Sequence, residues 1–191
     1  GFGLFGFRDP NGIRPLLFGE RYNEDTKNKD YMLASESVVL KAHGFTTFRD
    51  ILPGEAVIIP KECTEPIFKQ VVSPNSYRPD IFEYVYFARP DSILDGISVY
   101  HTRLQMGVKL AHRVEQIVGK DNIDVVMSVT DTARTAALQC AIELSKPYRE
   151  GFVKNRYVGR TFIMPNQKER VSSVRKKLNA MESEFKGKNV L

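Results

Sequence analysis

The chain has 191 residues, 42% hydrophobic and 27% charged, with a net charge of +5. That balance suits one folded domain or parts of two and excludes general disorder, and no apolar run approaches the ~18–20 residues of a membrane span. Two cysteines, Cys63 and Cys140, are too few for a disulfide framework and lack CxxC metal spacing, which fits a reducing intracellular setting.

The first third has a β pattern. Residues 3–7 (GLFGF) read as a strand, and Asp9-Pro10-Asn11-Gly12 is a strong turn signal that lets residues 13–18 pair back as a second strand. The polar run 23–30 reads as a loop and residues 31–34 as a short strand. Ser35-Glu36-Ser37 then offers caps for a helix over 38–42 that Gly44 ends. Pro53-Gly54 turns into a strand over 55–59, and residues 68–72 make another. The whole suggests an antiparallel sheet with helices on a face.

Residues 73–80 (SPNSYRPD) have linker composition, and beyond them the pattern changes. The aromatic run 82–87 reads as a strand. Residues 98–118 read as a helix, with Leu104, Val108, Ala111, Val114 and Val118 at spacings of three and four. Residues 123–129 resemble a buried parallel strand, 133–144 its following helix, 157–164 a strand or loop, 171–178 a helix, and 189 onward a strand. Alternating strands and helices predict an α/β domain with a parallel sheet.

Charge is uneven along the chain. Between Lys146 and Lys177 lie ten basic residues and two acidic ones, a net of +8, which leaves −3 for the rest. Such a segment suits a small polyphosphate, a nucleic acid or a solvated basic face. Two places inside the α/β part are candidates for chemistry. At Thr130-Asp131-Thr132 the buried strand runs into a helix, where backbone N–H groups and the helix dipole favour anions. These side chains suit a hydroxyl, a phosphate or a hydrated Mg²⁺, or else plain N-capping. In GFVKNRYVGRTF, Lys154, Arg156 and Arg160 are interleaved with aromatics, with Gly151 ahead of all three and Gly159 just before Arg160. Glycine hinges and phosphate-binding cations would make a closing loop, and stacking on Phe152 and Tyr157 would bind RNA. No Ser, Cys and His grouping forms a nucleophile system, there is no Walker loop, and Cys140 reads as a buried apolar filler.

Four segments carry a resemblance to the glutamine phosphoribosylpyrophosphate amidotransferases: residues 8–15, 34–37, 82–92 and 146–178, the last overlapping the specific block GFVKNRYVGRTFIMPNQKERVSSVRKKLN of residues 151–179. The resemblance covers essentially the whole chain. It implies mixed α/β and α+β structure. Residues 1–72 would be the C-terminal part of an N-terminal-nucleophile (Ntn) glutaminase, and residues 73–191 the first part of a type I phosphoribosyltransferase. The implied activity uses glutamine-derived ammonia to displace pyrophosphate from phosphoribosyl pyrophosphate. Lys154, Tyr157 and Arg160 would be catalytic loop residues, and Thr132, Asp131 and Arg156 would bind substrate. Thr132 would lie near Mg²⁺, and Tyr86 with Tyr157 would line an ammonia passage. A cytoplasmic homo-oligomer is implied, with no membrane or nucleic-acid partner. An inactive piece whose basic segment binds nucleic acid is the other reading.

The family has prolines where Ser128 and Thr130 stand, so the expectation is either a looser turn here or substitutions that the turn tolerates. Its glutaminase nucleophile is an amino-terminal cysteine, whereas this sequence starts at Gly1, so the expectation is a piece holding no complete active site and folding poorly by itself.

Overall fold

The computed structural model describes residues 1–61, 65–159 and 166–191. They form two compact units, Gly1–Thr102 and Arg103–Leu191.

The first unit is built on two three-stranded antiparallel sheets. One has the order β1-β5-β6, from β1 (Gly3–Phe7), β5 (Glu55–Pro60) and β6 (Ile67–Gln70). The other has the order β3-β2-β4, from β2 (Leu17–Asn23), β3 (Asn28–Ala34) and β4 (Thr47–Asp50). A short helix α1 (Ser37–Ala42) and a two-residue hairpin of β7 (Ile93–Leu94) and β8 (Ile97–Ser98) complete it. Phe18, Ile51 and Val57 make the buried centre, with Phe18 stacked on Tyr31 and edge-on to Phe68.

Several expectations give way here, each for a physical reason. Residues 13–18 do not pair back on β1. The strand starts at Leu17 and pairs with β3 and β4. Before it, the loop carbonyls of Gly12 and Arg14 are occupied by the Arg8 guanidinium, and Pro10 and Pro15 have no N–H for a ladder. Of residues 23–30 only 24–27 form a turn, and the rest are strand. The β2–β3 ladder runs on to Asn23 opposite Asn28, because the Asn23 side chain accepts from the Asp25 and Thr26 N–H groups and shapes the turn itself.

The aromatic run is not a strand either. Glu83–Phe87 is a π-helical turn, started where the Asp80 carboxylate accepts from the Phe82 N–H and closed by the Ala88 N–H on the Glu83 carbonyl. It buries Tyr84 and leaves Phe82, Tyr86 and Phe87 exposed. Residues 73–80 are irregular, as their composition predicts. They are nevertheless stitched to the first unit by backbone bonds from Asn75, Arg78 and Asp80 to the carbonyls of Pro10, Asn11 and Ile13.

The helix α1 forms where expected, but Ser35-Glu36-Ser37 serves another purpose than capping. Glu36 is the N-cap residue without a side-chain cap bond. Its carboxylate accepts from the Arg89 N–H and the Ser92 hydroxyl, and the Ser37 hydroxyl accepts from the Ile93 N–H.

The helix α2 (Val99–Ile117) starts in the last residues of the first unit and lies in the second from Arg103 on, and its Ala111 and Val114 are buried as their spacing predicts. β9 (Val126–Met127), α3 (Arg134–Leu144) and β10 (Tyr148–Arg149) form a βαβ unit with parallel strands. Val190 adds a parallel bridge to Val125, in keeping with a strand from residue 189. The core is Ala111, Val114, Ile123, Val126, Cys140, Ala141 and Leu144, with Cys140 packed as an apolar filler. A Cβ on Gly107 would lie 2.4 Å from the Ala136 carbonyl oxygen, so only glycine allows α2 to come this close to α3. Beyond β10, β11 (Phe152–Lys154) pairs antiparallel with β12 (Leu178–Ala180), and between them runs α4 (Gln167–Lys177). Asn166 caps α4 by accepting from the Glu169 N–H, and no residue of α4 is buried. A one-turn helix α5 (Glu182–Phe185) follows. Among the described residues no helix is long and apolar enough to cross a membrane.

Candidate functional site

The site is assembled at the end of β9. Val125, Val126 and Met127 are buried, so the chain leaves the sheet through a short turn, residues 128–133, before α3 begins at Arg134. Asp131 sits in this turn with φ +66°, a left-handed conformation that Asp and Asn tolerate better than most side chains. It does not cap α3. The N-cap position falls to Ala133, without a side-chain bond. Asp131 faces Lys154, the last residue of β11, and the ammonium donates to Oδ2 at 2.7 Å.

The rest of the charge is arranged around this pair. Arg134 approaches Asp131 Oδ1 at 3.7 Å and pairs with Glu150 at 2.9 Å. The Lys154 hydrogen bond holds the Asp131 carboxyl below the usual carboxylate range against the opposing effect of burial. The charges of Lys154, Arg134 and Arg156 push the same way as the bond. Asp131 and Lys154 are both partly open to water, at 56% and 36% side-chain exposure, so the pair is accessible to a solute.

The turn is not loose where Ser128 stands. Ser128 is buried, and its hydroxyl lies 2.8 Å from the Tyr148 hydroxyl on the neighbouring strand. Gly151 is an anchor rather than a hinge. A Cβ there would fall 2.3 Å from Met127 Sδ and 2.7 Å from the Phe185 ring, so the chain between β10 and β11 is packed onto the sheet. Gly159 faces open space. Between them the Asn155 side chain accepts from the Tyr157 N–H, and Tyr157 projects fully exposed.

Of the residues singled out in the sequence, Asp131, Lys154 and Arg156 are brought together. Thr132 stands half-buried in the same turn. Tyr157 is three residues along the chain from Lys154. Arg160 lies outside the described residues, as does Cys63. Tyr86 is in the first unit, exposed on the π-helical turn and edge-on to Phe87, whose ring lies under the Arg14 guanidinium. Sequence reading passed over Arg134 as a partner of the site. Its place three residues after Asp131, at the start of a helix, is the signal that would have found it. Among the described residues there is no grouping of three or more His, Cys, Asp or Glu able to hold a metal ion. An exposed carboxylate bonded to a lysine, with two arginines nearby, gathers cations of the kind that bind phosphate oxygens.

Sequence comparison places curated relatives over the full chain. It is 77% identical over 193 residues to the amidophosphoribosyltransferase of Lachancea kluyveri and 52% identical over 192 residues to that of Escherichia coli. All of this chain is matched in each case, against 38% and 37% of the relative. Among solved structures, glutamine phosphoribosylpyrophosphate amidotransferase from B. subtilis complexed with ADP and GMP superposes with a TM-score of 0.77 at 38% identity. That match takes in 99% of this chain and 39% of the other. No family model matches. The chain thus spans little more than a third of the length of the proteins it resembles.

Proposed function

From the premise that this chain belongs with the amidophosphoribosyltransferases, of whose length it spans about 38%, we propose that it works as part of an enzyme making 5-phosphoribosylamine. In this reaction glutamine-derived ammonia attacks the anomeric carbon of phosphoribosyl pyrophosphate. The new C–N bond forms as the C–O bond to the diphosphate breaks, and the electron pair leaves with pyrophosphate. Glutamate is the other product, and the step opens purine synthesis.

In this reading residues 1–72 contribute to an Ntn-type glutaminase and residues 73–191 to a type I phosphoribosyltransferase. Lys154, with Arg160, offsets the charge that grows on the departing diphosphate, the kind of preorganised electrostatic stabilisation that acts most strongly away from water. Arg156 adds to the positive field. Asp131 and Thr132 face the sugar side of the substrate, and Tyr157 closes over it. Tyr86 and Tyr157 are the residues that the resemblance assigns to the route of ammonia. Mg²⁺ would enter with the diphosphate, with the Thr132 hydroxyl as its neighbour from this chain. The carboxylate beside Thr132 is already engaged by Lys154, and among the described residues no grouping of three or more His, Cys, Asp or Glu stands near enough to hold a metal.

The observation that carries the reading is the meeting of Lys154 with the strand-end turn at Asp131, 23 residues apart in sequence and 2.7 Å apart in space. A basic hairpin that met nothing would be a solvated face. One that meets a strand end faces the place where α/β sheets bind ligands. The test is Lys154→Ala in the whole enzyme. Phosphoribosylamine formation with ammonia should fall about 10²-fold, as for other single electrostatic contacts to a reacting group, while glutamine hydrolysis measured alone stays within a factor of two or so of the parent. Equal losses in both reactions would sink the assignment.

A further inference from the structure

The geometry points to a second role for Asp131: it is the internal counter-ion of Lys154, and an anionic ligand takes the ammonium over from it by exchange. The inference rests on Lys154 being a ligand of the diphosphate, and it concerns what that lysine does before the ligand arrives.

Three observations carry it. First, the pair is short but unsheltered. The Lys154 ammonium and the Asp131 carboxylate are 2.7 Å apart, yet both are open enough to water that separating them costs little. Second, the carboxylate is held in place without the lysine. Its residue sits at φ +66° in a turn pinned on one side by the buried Ser128–Tyr148 hydrogen bond and on the other by α3. Arg134 stands 3.7 Å from its other oxygen. Third, Lys154 is the mobile partner by chemistry. Its long flexible stem carries a point charge with three donors, and among the described residues its charge is matched by Asp131 alone.

The carboxylate therefore keeps the ammonium close to the strand end, where an anion binds. It also competes with that anion. Positioning and competition are separable, because only competition weakens ligand binding. Removing the carboxylate while keeping the backbone conformation should tighten binding. Asn and Gly both accept a left-handed backbone, so Asp131→Asn and Asp131→Gly remove the charge without strain at φ +66°.

The experiment measures the dissociation constant of inorganic pyrophosphate, without added metal, by calorimetry on the whole enzyme. Pyrophosphate has no sugar hydroxyl, so contacts of Asp131 to the ribose do not enter. The urea unfolding midpoint of each variant checks that it is folded. Asp131→Asn and Asp131→Gly should both tighten pyrophosphate by about two- to fivefold, the size of one exposed ion pair. In a Lys154→Ala background neither substitution should change the affinity. Unchanged or weaker binding in both Asp131 variants overturns the exchange while leaving Lys154 as an anion ligand. The same tightening with or without Lys154 overturns it too, because the effect is then general repulsion. If Lys154→Ala by itself leaves pyrophosphate binding unchanged, the exchange falls together with the role of Lys154 from which it starts.

Discussion

Each unit holds an aspartate in a left-handed conformation facing a cation, and the two pairs behave in opposite ways. In the first unit Asp95, at φ +50°, takes two bonds from Arg8 at 2.6 and 2.8 Å. Arg8 is 2% exposed and spends its remaining three N–H groups on the carbonyls of Ile51, Gly12 and Arg14. Tyr77 donates to the same carboxylate at 2.6 Å. Burial pushes Asp95 up, but the bonds from Arg8 and Tyr77 outweigh it and leave the carboxyl below its ordinary range. In the second unit Lys154 and Asp131 make one bond between two partly exposed groups. The difference is saturation. A guanidinium with all five donors used inside the protein is a fastener, because any departure strands a buried charge. An ammonium with one bond in water can change partners.

The contrast is tested most sharply by Asp95→Ala. It strands the Arg8 charge and should cost ~3–5 kcal/mol, read as a lower urea midpoint at unchanged slope. A loss under ~1 kcal/mol would make the two pairs alike and end the comparison. Next in size is Tyr148→Phe, which takes the partner from the buried Ser128 hydroxyl and should cost ~1–3 kcal/mol in the same assay. No loss there would mean that Ser128 does not stiffen the turn beneath Asp131.

A pH scan separates the pairs further. Burial first, then the bond to Asp95 and its charge, pushes the Tyr77 hydroxyl up to about 12 from 10.0. A pKa raised by folding contributes stability that is complete below pH 10 and is lost as the pH rises toward 12. Tyr77→Phe should therefore flatten the dependence of stability on pH across that window, and an unaltered alkaline transition would rule out the tyrosine as its source. The smallest effect belongs to Asp131→Asn. Unfolding free energy should change by less than ~1 kcal/mol, and by still less in high salt. A larger loss would make this pair structural as well.

Much of the fold was legible where local chemistry decides it. Apolar spacing located α2, Pro53-Gly54 located the turn into β5, and the β-branched run located the buried β9 with α3 following it. The misreadings at residues 13–18, 23–30 and 82–87 share one cause. In each, a side chain claimed a backbone group: Arg8 on the loop carbonyls, Asn23 on the turn N–H groups, Asp80 on the start of the π-helical turn. Side-chain bonds of this kind leave no trace in hydrophobic periodicity. The candidate site was half legible. Composition marked the basic hairpin and the strand end separately, but not that they touch, nor that Arg134 and Glu150 complete the charge around them.

What the sequence by itself determined is the resemblance to the amidophosphoribosyltransferases, the alternation of strands and helices, and the placing of cationic and acidic residues in two short segments. Those depend on residue type and order along one dimension. Only the tertiary structure decided which charges are fasteners and which are exchangeable. That depends on burial and on how many donors find partners, and the chain brings such partners from far along its length: Arg8 and Asp95 are 87 residues apart. The same two kinds of side chain, a carboxylate and a cation, are therefore fixed in one unit and free to trade in the other, because water reaches one pair and not the other.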